Sequence, residues 1–282
     1  MTTEDILKEY EKLLSGGSVK EAGVFLEGRA REAEKDEPLT AASCWNELTG
    51  YWRVCGDRQK SYAAAERALA ILGTKRLADT QHYAVALLNY ATAKTAFGDT
   101  DGVLDLYEKI EEIFQKTKDV PEYSRATLYN SKAQLLMKRG RAAEAEACFT
   151  KSLELLECME DADSETATCR ANMAYCAMAR RDLAAAEALL SESEKYFKTA
   201  SDDPHANVAL SCRGQLEYLK GNNAVAADAF ERLAANIEKR YGRNRNYAMA
   251  MRNAARAFEA AGRGEDAARC RSLSEGAVSQ EQ

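Results

Sequence analysis

The sequence is dominated by a repeat of about 41 residues, marked by turn residues at nearly constant spacing. Six of them follow one another at steps of 42, 42, 41, 40 and 41 residues: Gly56, Gly98, Gly140, Arg181, Gly221 and Gly262. A weaker copy turns at Gly17, 39 residues before Gly56. Periods of this length are typical of stacked repeats, in which each unit buries its apolar face only against its neighbours. We therefore expect seven repeats over the 282 residues.

Each repeat places small side chains at two fixed distances from its turn. Seven residues before the turn stand Thr49, Ala91, Ala133, Ala174, Gly214 and Ala255. Five residues after it stand Ala22, Ser61, Val103, Ala145, Ala186, Ala226 and Ala267. A large apolar residue often stands nine residues after the turn: Leu26, Tyr107, Phe149, Leu190 and Phe230. Small side chains let two successive helices approach closely, so each repeat is predicted to be an antiparallel helical hairpin, with the large residue filling the groove between neighbours.

Helix-start signals agree with this period. Prolines stand at 38, 121 and 204, spaced 83 residues apart, and each falls where the first helix of a repeat should begin. An aspartate follows the turn directly at Asp57, Asp99 and Asp182, where it can cap the second helix. His82 and His205 both lie sixteen residues before a turn glycine, so they are interpreted as residues of the helix start rather than ligands or bases.

Two stretches carry a family resemblance. CWNELTGYWRVCGD, with Trp45, Leu48, Thr49, Trp52 and Gly56, resembles the first helix of a tetratricopeptide repeat. GRAAEAEACFTKSLEL resembles the second helix, through Gly140, Ala145, Phe149 and Leu153. The period exceeds the usual length of about 34 and is more similar to the long repeats of kinesin light chains. Three residues depart from the pattern, since Lys94 and Glu217 replace a large apolar residue and Arg181 replaces the turn glycine.

The resemblance implies an all-α fold, a right-handed α-α superhelix of about seven antiparallel hairpins that forms a single solenoid over residues 1–282. The approximate units are 1–37, 38–78, 79–120, 121–162, 163–203, 204–243 and 244–282. Their function is expected to be the non-enzymatic binding of a protein or peptide along the concave face. Homo-oligomerisation, through an end hairpin or through exposed aromatic residues near Trp45 and Trp52, is the alternative.

The same resemblance places the residues ten and six before each turn on the concave face. They are Asn46 and Gly50, Leu88 and Thr92, Asn130 and Gln134, Ala171 and Tyr175, Ser211 and Gln215, and Arg252 and Arg256. Amides, tyrosines and arginines without carboxylates suit hydrogen bonding to an extended peptide, whereas a polar, solvated face without a ligand is the alternative. The candidate peptide-binding residues are Asn46, Arg53, Asn89, Asn130, Gln134, Asn172, Tyr175, Gln215, Tyr218, Arg252, Asn253 and Arg256.

Three asparagines lie nine residues before their turns, at Asn89, Asn172 and Asn253. Similar asparagines in kinesin light chain repeats bind peptide, which gives one role. The other is to bond the backbone of the neighbouring hairpin and set the stagger between repeats. The sequence leaves both roles open.

The segment Lys239–Arg256 holds six basic residues and no acidic one, in a chain whose net charge is −6. Such a patch attracts an acidic protein segment, a phosphate or nucleic acid, unless it is only a solvated end. We do not expect nucleic acid, because the chain is acidic overall and carries no reader motif.

Catalytic residues, cofactors and metal sites are not expected, since the sequence has no catalytic or nucleotide-binding motif and no CxxC pair. Its eight cysteines are interpreted as small apolar residues of helices. The acidic start MTTEDILKEY is unlike a secretory signal, and no apolar run is long enough for a membrane span. A cytoplasmic protein with no membrane contact is expected.

Overall fold

The computed structural model describes residues 1–74, 77–200 and 205–279. Over these residues the chain is all-α, with fourteen helices and no strand. The helices are α1 Thr3–Ser15, α2 Val19–Ala33, α3 Pro38–Val54, α4 Arg58–Leu72, α5 Gln81–Phe97, α6 Val103–Lys116, α7 Glu122–Lys138, α8 Ala142–Glu157, α9 Asp163–Ala179, α10 Leu183–Thr199, α11 Ala206–Leu219, α12 Asn223–Tyr241, α13 Arg245–Ala260 and α14 Gly264–Ser279.

The chain divides into two compact units, Met1–Ser124 and Arg125–Gln282. In the first, α3 packs against α2, α4 and α5, and α5 packs against α6. In the second, α9 packs against α8, α10 and α11, and α13 packs against α12 and α14. The core of each unit is therefore a row of helix–helix contacts between elements that are close in sequence.

The predicted turn residues lie where the two helices of each hairpin meet. All seven have a positive φ, from 64° at Arg181 to 85° at Gly98. In each turn the N–H of the following residue donates to the carbonyl four residues before the turn, as in Asp99 to Lys94 at 2.9 Å. This is the Schellman closure of a helix, which requires a left-handed residue and so favours glycine. The prediction of the turns is confirmed, with Arg181 in the same conformation as the glycines.

The small residues are buried where the two helices of a hairpin approach. Ala91, Ala133 and Ala174 before the turn are fully buried, and so are all seven residues predicted after it. Gly214 lies against the ring of Phe230, where an added Cβ would come within 2.7 Å of ring carbons. The five large residues are also buried, with at most 3% exposure. The predicted burial of the small and the large residues is confirmed.

The helix-start predictions hold with one exception. Pro38 is the first residue of α3 and Pro121 directly precedes α7, while Pro204 lies outside the described residues. The carboxylates of Asp57 and Asp182 accept the N–H of Lys60 and Ala185 and cap their helices. Asp99 was expected to do the same, but its carboxylate pairs with Lys94 at 2.6 Å and α6 begins after Gly102.

Lys94 and Glu217, the two residues that replace a large apolar residue of the repeat, make ion pairs, and Lys94 also makes cation–π contacts. The Lys94 ammonium lies 5.6 Å and 5.5 Å from the ring centroids of Tyr62 and Tyr90. Glu217 is 8% exposed and accepts hydrogen bonds from Arg213 at 3.0 Å and Asn222 at 2.7 Å. Each charge is paired, which offsets the cost of burying it.

Arg213 joins three acidic residues on two helices. Its guanidinium contacts Glu187 at 2.9 Å and Glu194 at 2.7 Å on α10, besides Glu217 on its own helix. Lys220 also pairs with Glu187. Although desolvation alone raises the pKa of Glu187 and of Glu217, the hydrogen bonds from Lys220, Arg213 and Asn222 outweigh it and hold each pKa below its usual range.

Trp45 is buried, contrary to the exposed aromatic surface considered from the sequence. Its side chain is 4% exposed, its indole N–H donates to Glu34 at 2.8 Å, and Arg67 stacks 4.6 Å from its ring centroid. Trp52 is half-buried. Trp45 itself therefore offers no exposed ring for the homo-oligomer alternative, whereas Trp52 keeps part of its surface accessible.

All eight cysteines are free thiols, and five of them are buried: Cys44, Cys169, Cys176, Cys212 and Cys270. Burial raises the pKa of Cys44 to about 11 and that of Cys212 to about 12, so these thiols behave as apolar side chains. Cys158 is exposed and departs from this pattern. Within residues 1–74, 77–200 and 205–279, no helix combines the length and apolarity needed to cross a bilayer.

Candidate functional site

A pocket in the second unit gathers four of the candidate binding residues. It is lined by Gln215 and Tyr218 of α11, Phe230 of α12, and Asn253 and Arg256 of α13. Its empty volume is about 210 Å³ and it opens to solvent. Because that volume includes open solvent, the pocket is an opening on the surface and not an enclosed cavity.

The helical period brings these side chains together. Gln215 and Tyr218 are three residues apart on α11, and Asn253 and Arg256 are three apart on α13, so each pair lies on one helix face. The floor is the ring of Phe230, which is 3% exposed and packs against the backbone at Gly214. Phe230 was predicted only as a packing residue. The sequence offered one signal for this role: Gly214 is the one glycine among the small residues before the turns, and the ring of Phe230 lies against it.

The polar groups of this pocket are unpaired within the described part of the chain. There, neither amide, of Gln215 or Asn253, makes a side-chain hydrogen bond, and Arg256 has no acidic partner. The Arg256 guanidinium lies 5.8 Å from the ring centroid of Tyr218, within the range of a cation–π contact. Two amides, a phenol and a guanidinium thus face one opening with their hydrogen-bonding capacity free.

The other two asparagines of the series bond a neighbouring repeat. Asn89 donates its amide N–H to the side-chain oxygen of Asn46 at 2.9 Å, and Asn172 donates in the same way to Asn130 at 3.2 Å. Each bond joins the position nine before a turn to the position ten before the preceding turn. We call these the donor and acceptor positions. The sequence left open a bond to the neighbouring backbone, and the partner is instead a side chain.

The third donor position, Asn253, lacks this bond. Its acceptor position holds Ser211, whose Oγ accepts a hydrogen bond from the Tyr175 hydroxyl at 2.9 Å. Tyr175 is half-buried and packs against the apolar core of α9–α11, and burial raises its pKa. Tyr175 was a candidate for ligand contact, yet its hydroxyl is already used within the fold.

The remaining candidates lie apart from the pocket lining. Arg53 is half-buried in the first unit. Gln134 is half-buried on α7. Arg252 is exposed on α13 and reaches Ser274 of α14, with 3.3 Å between Nη1 and Oγ. Leu88 and Ala171, which the family geometry placed on the concave face, are buried at 2% and 0% exposure, so that assignment is wrong at these two positions.

In the basic segment, half of the six basic residues lack an acidic partner in the described residues. Arg243 pairs with Glu238 at 2.6 Å, whereas in the described residues Lys239, Arg252 and Arg256 have no ion pair. Arg256 therefore contributes an uncompensated positive charge to the pocket. No group of acidic, histidine or cysteine side chains suited to a metal ion occurs in the part of the chain that the structure describes.

No protein-family model matches the chain, and no curated protein matches it significantly in sequence. Solved structures do match. A Rap protein complexed with competence and sporulation factor is 14% identical, with a TM-score of 0.74 over 96% of this chain and 74% of that one. The Rap conjugation gene regulator of plasmid pLS20, in complex with the Phr* peptide, is 12% identical with a TM-score of 0.63 over 99% and 76%.

A third match connects the fold to the resemblance seen in the sequence. The TPR-like repeats of a putative kinesin light chain from Podosopora anserina are 17% identical, with a TM-score of 0.51 over 72% of this chain and 98% of that one. The chain thus has the fold of the tetratricopeptide-like helical repeat proteins. At these identities the likeness concerns the fold alone.

Proposed function

We propose that this protein is a non-enzymatic scaffold that binds an extended segment of another protein or peptide along the faces of its first helices. An acidic part of that ligand docks at the pocket formed by α11, α12 and α13. The observation that carries this proposal is the set of unpaired polar groups of Gln215, Tyr218, Asn253 and Arg256 around one opening.

The contrast with the other repeats supports a binding role for these residues. Asn46 with Asn89, and Asn130 with Asn172, satisfy one another across neighbouring repeats. A side-chain amide that is bonded in this way must give up that bond or offer a ligand only its remaining donors and acceptor. The groups around the α11–α13 pocket carry no such cost, so they are the more favourable contacts for a ligand.

Charge supports an acidic ligand segment. Arg256 has no acidic partner among the described residues, and it belongs to a segment of six basic residues in a chain of net charge −6. A local positive potential on an acidic protein attracts acidic groups and repels basic ones, which favours one ligand orientation. The Arg256 guanidinium lies 5.8 Å from the ring centroid of Tyr218, and both side chains line the pocket.

The fold comparisons are compatible with this function. The Rap regulator of pLS20, which shares the fold, is in complex with the Phr* peptide. The five residues that line the α11–α13 pocket include no carboxylate, histidine or thiol, which favours binding over catalysis there. We place the protein in the cytoplasm, because its eight cysteines are all free and a reducing compartment keeps them so.

The proposal is tested with two fluorescein-labelled peptides that have capped termini, one of alternating Glu and Ala and one of alternating Gln and Ala. Fluorescence anisotropy is measured for the wild type, for Arg256→Glu and for a control, Arg232→Glu. Arg232 is exposed on α12 and does not line the pocket. We expect the Glu–Ala peptide to bind the wild type and Arg232→Glu more tightly than the Gln–Ala peptide does, and Arg256→Glu to lose this preference.

Equal loss in both arginine variants would assign the preference to overall charge and contradict a site at this pocket. Sedimentation of the same samples tests the alternative of self-association. A stable dimer that binds neither peptide would support a homo-oligomeric scaffold instead.

A further inference from the structure

The acceptor position of the sixth repeat differs from its equivalents in a way that bears on the pocket. In the second and fourth repeats this position holds Asn46 and Asn130, and each is bonded to the asparagine of the next repeat. In the sixth repeat it holds Ser211, 42 residues before Asn253. We propose that Ser211 is the residue that leaves Asn253 available to ligand, and so makes this repeat boundary a binding site. This inference rests on the function proposed above.

The geometry of the repeats predicts a partner for Asn253. The bonded asparagines are 43 and 42 residues apart, and Ser211 is 42 residues from Asn253. At the boundary between the fifth and sixth repeats the same register recurs, since Cys212 at the donor position contacts the carbonyl of Ala171 at the acceptor position, 3.4 Å away. The donor side chain therefore reaches towards the acceptor residue at three boundaries.

Two features of Ser211 disfavour a bond to Asn253. Its hydroxyl is one bond from Cβ, whereas the amide oxygen of asparagine is two bonds from Cβ, so serine reaches less far towards the next repeat. Its oxygen also accepts the Tyr175 hydroxyl from the preceding repeat at 2.9 Å. The Asn253 amide consequently lines the pocket with both its donors and its acceptor unused by the described residues.

The Asn253 side-chain amide indicates which group of the ligand lies next to its acidic side chain. Asn253 and Gln215 each offer donors and an acceptor, which complement the N–H and C=O of a peptide group, while Arg256 complements a carboxylate. The ligand at this boundary is therefore an acidic residue together with an adjoining peptide group. The oxygens of a free inorganic anion would accept from Arg256 and from the amide N–H groups, but a fully deprotonated anion would leave both amide oxygens without a donor.

Ser211→Asn tests this inference, because it restores the residue found at the other two acceptor positions. We expect the introduced amide oxygen to accept one of the two Asn253 amide N–H groups. This bond holds the amide against the preceding repeat and weakens binding of the Glu–Ala peptide about fivefold, the effect of losing one hydrogen bond to ligand. Ser211→Ala is the matched control. Alanine removes the oxygen that accepts the Tyr175 hydroxyl and supplies no partner for Asn253. The affinity of this variant for the Glu–Ala peptide should therefore equal that of the wild type.

Asn253→Ala separates this inference from the proposed function. We expect it to weaken binding as much as Ser211→Asn does, and the double variant to be no weaker than either single variant. If Asn253→Ala weakens binding and Ser211→Asn does not, the role of Ser211 is overturned while the proposed function stands. If Ser211→Ala weakens binding equally, the Tyr175 bond and not the gap in the series is responsible.

If the wild type binds neither peptide, a measurement without ligand tests whether Ser211 leaves the Asn253 amide without a partner. In that case the proposed acidic preference fails, and the side-chain amide protons of Asn253 are followed by nuclear magnetic resonance. We expect them to exchange rapidly with water in the wild type and in Ser211→Ala, and slowly in Ser211→Asn. Equal exchange in the three proteins would overturn the inference.

Discussion

The side-chain amide of Asn172 donates to the side-chain oxygen of Asn130, 42 residues earlier, and Asn89 makes the same bond to Asn46. These bonds lie on the first helices, where the family resemblance places ligand-binding residues. Two pairs of candidate residues thus bond one another across neighbouring repeats, whereas Asn253, for which we propose a role in ligand binding, makes no such bond within the described residues.

The Asn46–Asn89 pair should contribute to stability in the manner of one neutral hydrogen bond. In a double-mutant cycle with Asn46→Ala and Asn89→Ala, we expect a coupling of about 0.5–1.5 kcal/mol. Urea unfolding of the four proteins measures it. A coupling indistinguishable from zero would show that the bond does not join the repeats in solution.

Gly214→Ala should destabilise the protein by about 1–3 kcal/mol, because the new Cβ would lie 2.7 Å from the ring of Phe230 and overpack the hairpin. Gly50→Ala is its control, since nothing lies within 4 Å of a Cβ at that helical position. There we expect a gain of about 0.5–1 kcal/mol from lower backbone entropy in the unfolded chain. Thermal or urea unfolding compares the two, and equal effects would contradict the close approach at Gly214.

Arg181→Gly should stabilise the protein by about 0.5–1 kcal/mol, since glycine removes most of the strain of a left-handed residue. Arg181 has φ 64°, a conformation that costs a residue with a Cβ about 1–2 kcal/mol. Gly221→Ala makes the reverse change at φ 83°, where no atom lies near the added Cβ, and should destabilise. Unchanged unfolding midpoints in both variants would argue against left-handed turns.

Stability should fall in acid partly through Glu187 and Glu217. Their pKa values are lowered in the fold, so near pH 4 the unfolded chain binds more protons than the folded one. Their contribution is complete above the unfolded pKa of about 4.3 and is lost as the pH falls through the folded values.

Urea unfolding at about pH 6 and about pH 3.5, on either side of the unfolded pKa, measures this effect. We expect Glu217→Gln to lose less stability over that interval than the wild type does. Glu154→Gln serves as the control, because Glu154 is exposed and makes no ion pair within the described residues. If the wild type lost the same stability between the two pH values as Glu217→Gln, the ion pairs of Arg213 with Glu187 and Glu217 would have no role in acid sensitivity.

The hairpins were predictable because their causes are local. A left-handed turn residue and small residues at fixed distances from it define where two helices meet, and even Arg181 was placed by its spacing alone. Lys94 and Glu217 were recognised only as departures. Tyr62, whose ring lies beside Lys94, belongs to another repeat, and Arg213, which pairs with Glu217, also pairs with Glu187 of the preceding repeat. Contacts between charged and aromatic side chains across repeats have no fixed spacing in the sequence.

The clustering of candidate residues at the α11–α13 pocket was predictable in part. Gln215, Tyr218, Asn253 and Arg256 were selected from their positions before the turn, and all four line one pocket. The sequence could not separate Asn253 from Asn89 and Asn172, because the difference lies in the residue 42 or 43 positions earlier and in what already binds it. Trp45 was misjudged for a similar reason, since its partner Glu34 belongs to the preceding repeat.

The central claim is that Asn253 serves a ligand whereas Asn89 serves the fold. The most direct measurement compares Asn253→Ala with Asn89→Ala, each by urea unfolding and by anisotropy with the Glu–Ala peptide. We expect Asn253→Ala to lose affinity with unchanged stability, and Asn89→Ala to lose stability with unchanged affinity. The opposite assignment of losses, or the same losses in both variants, would contradict the account.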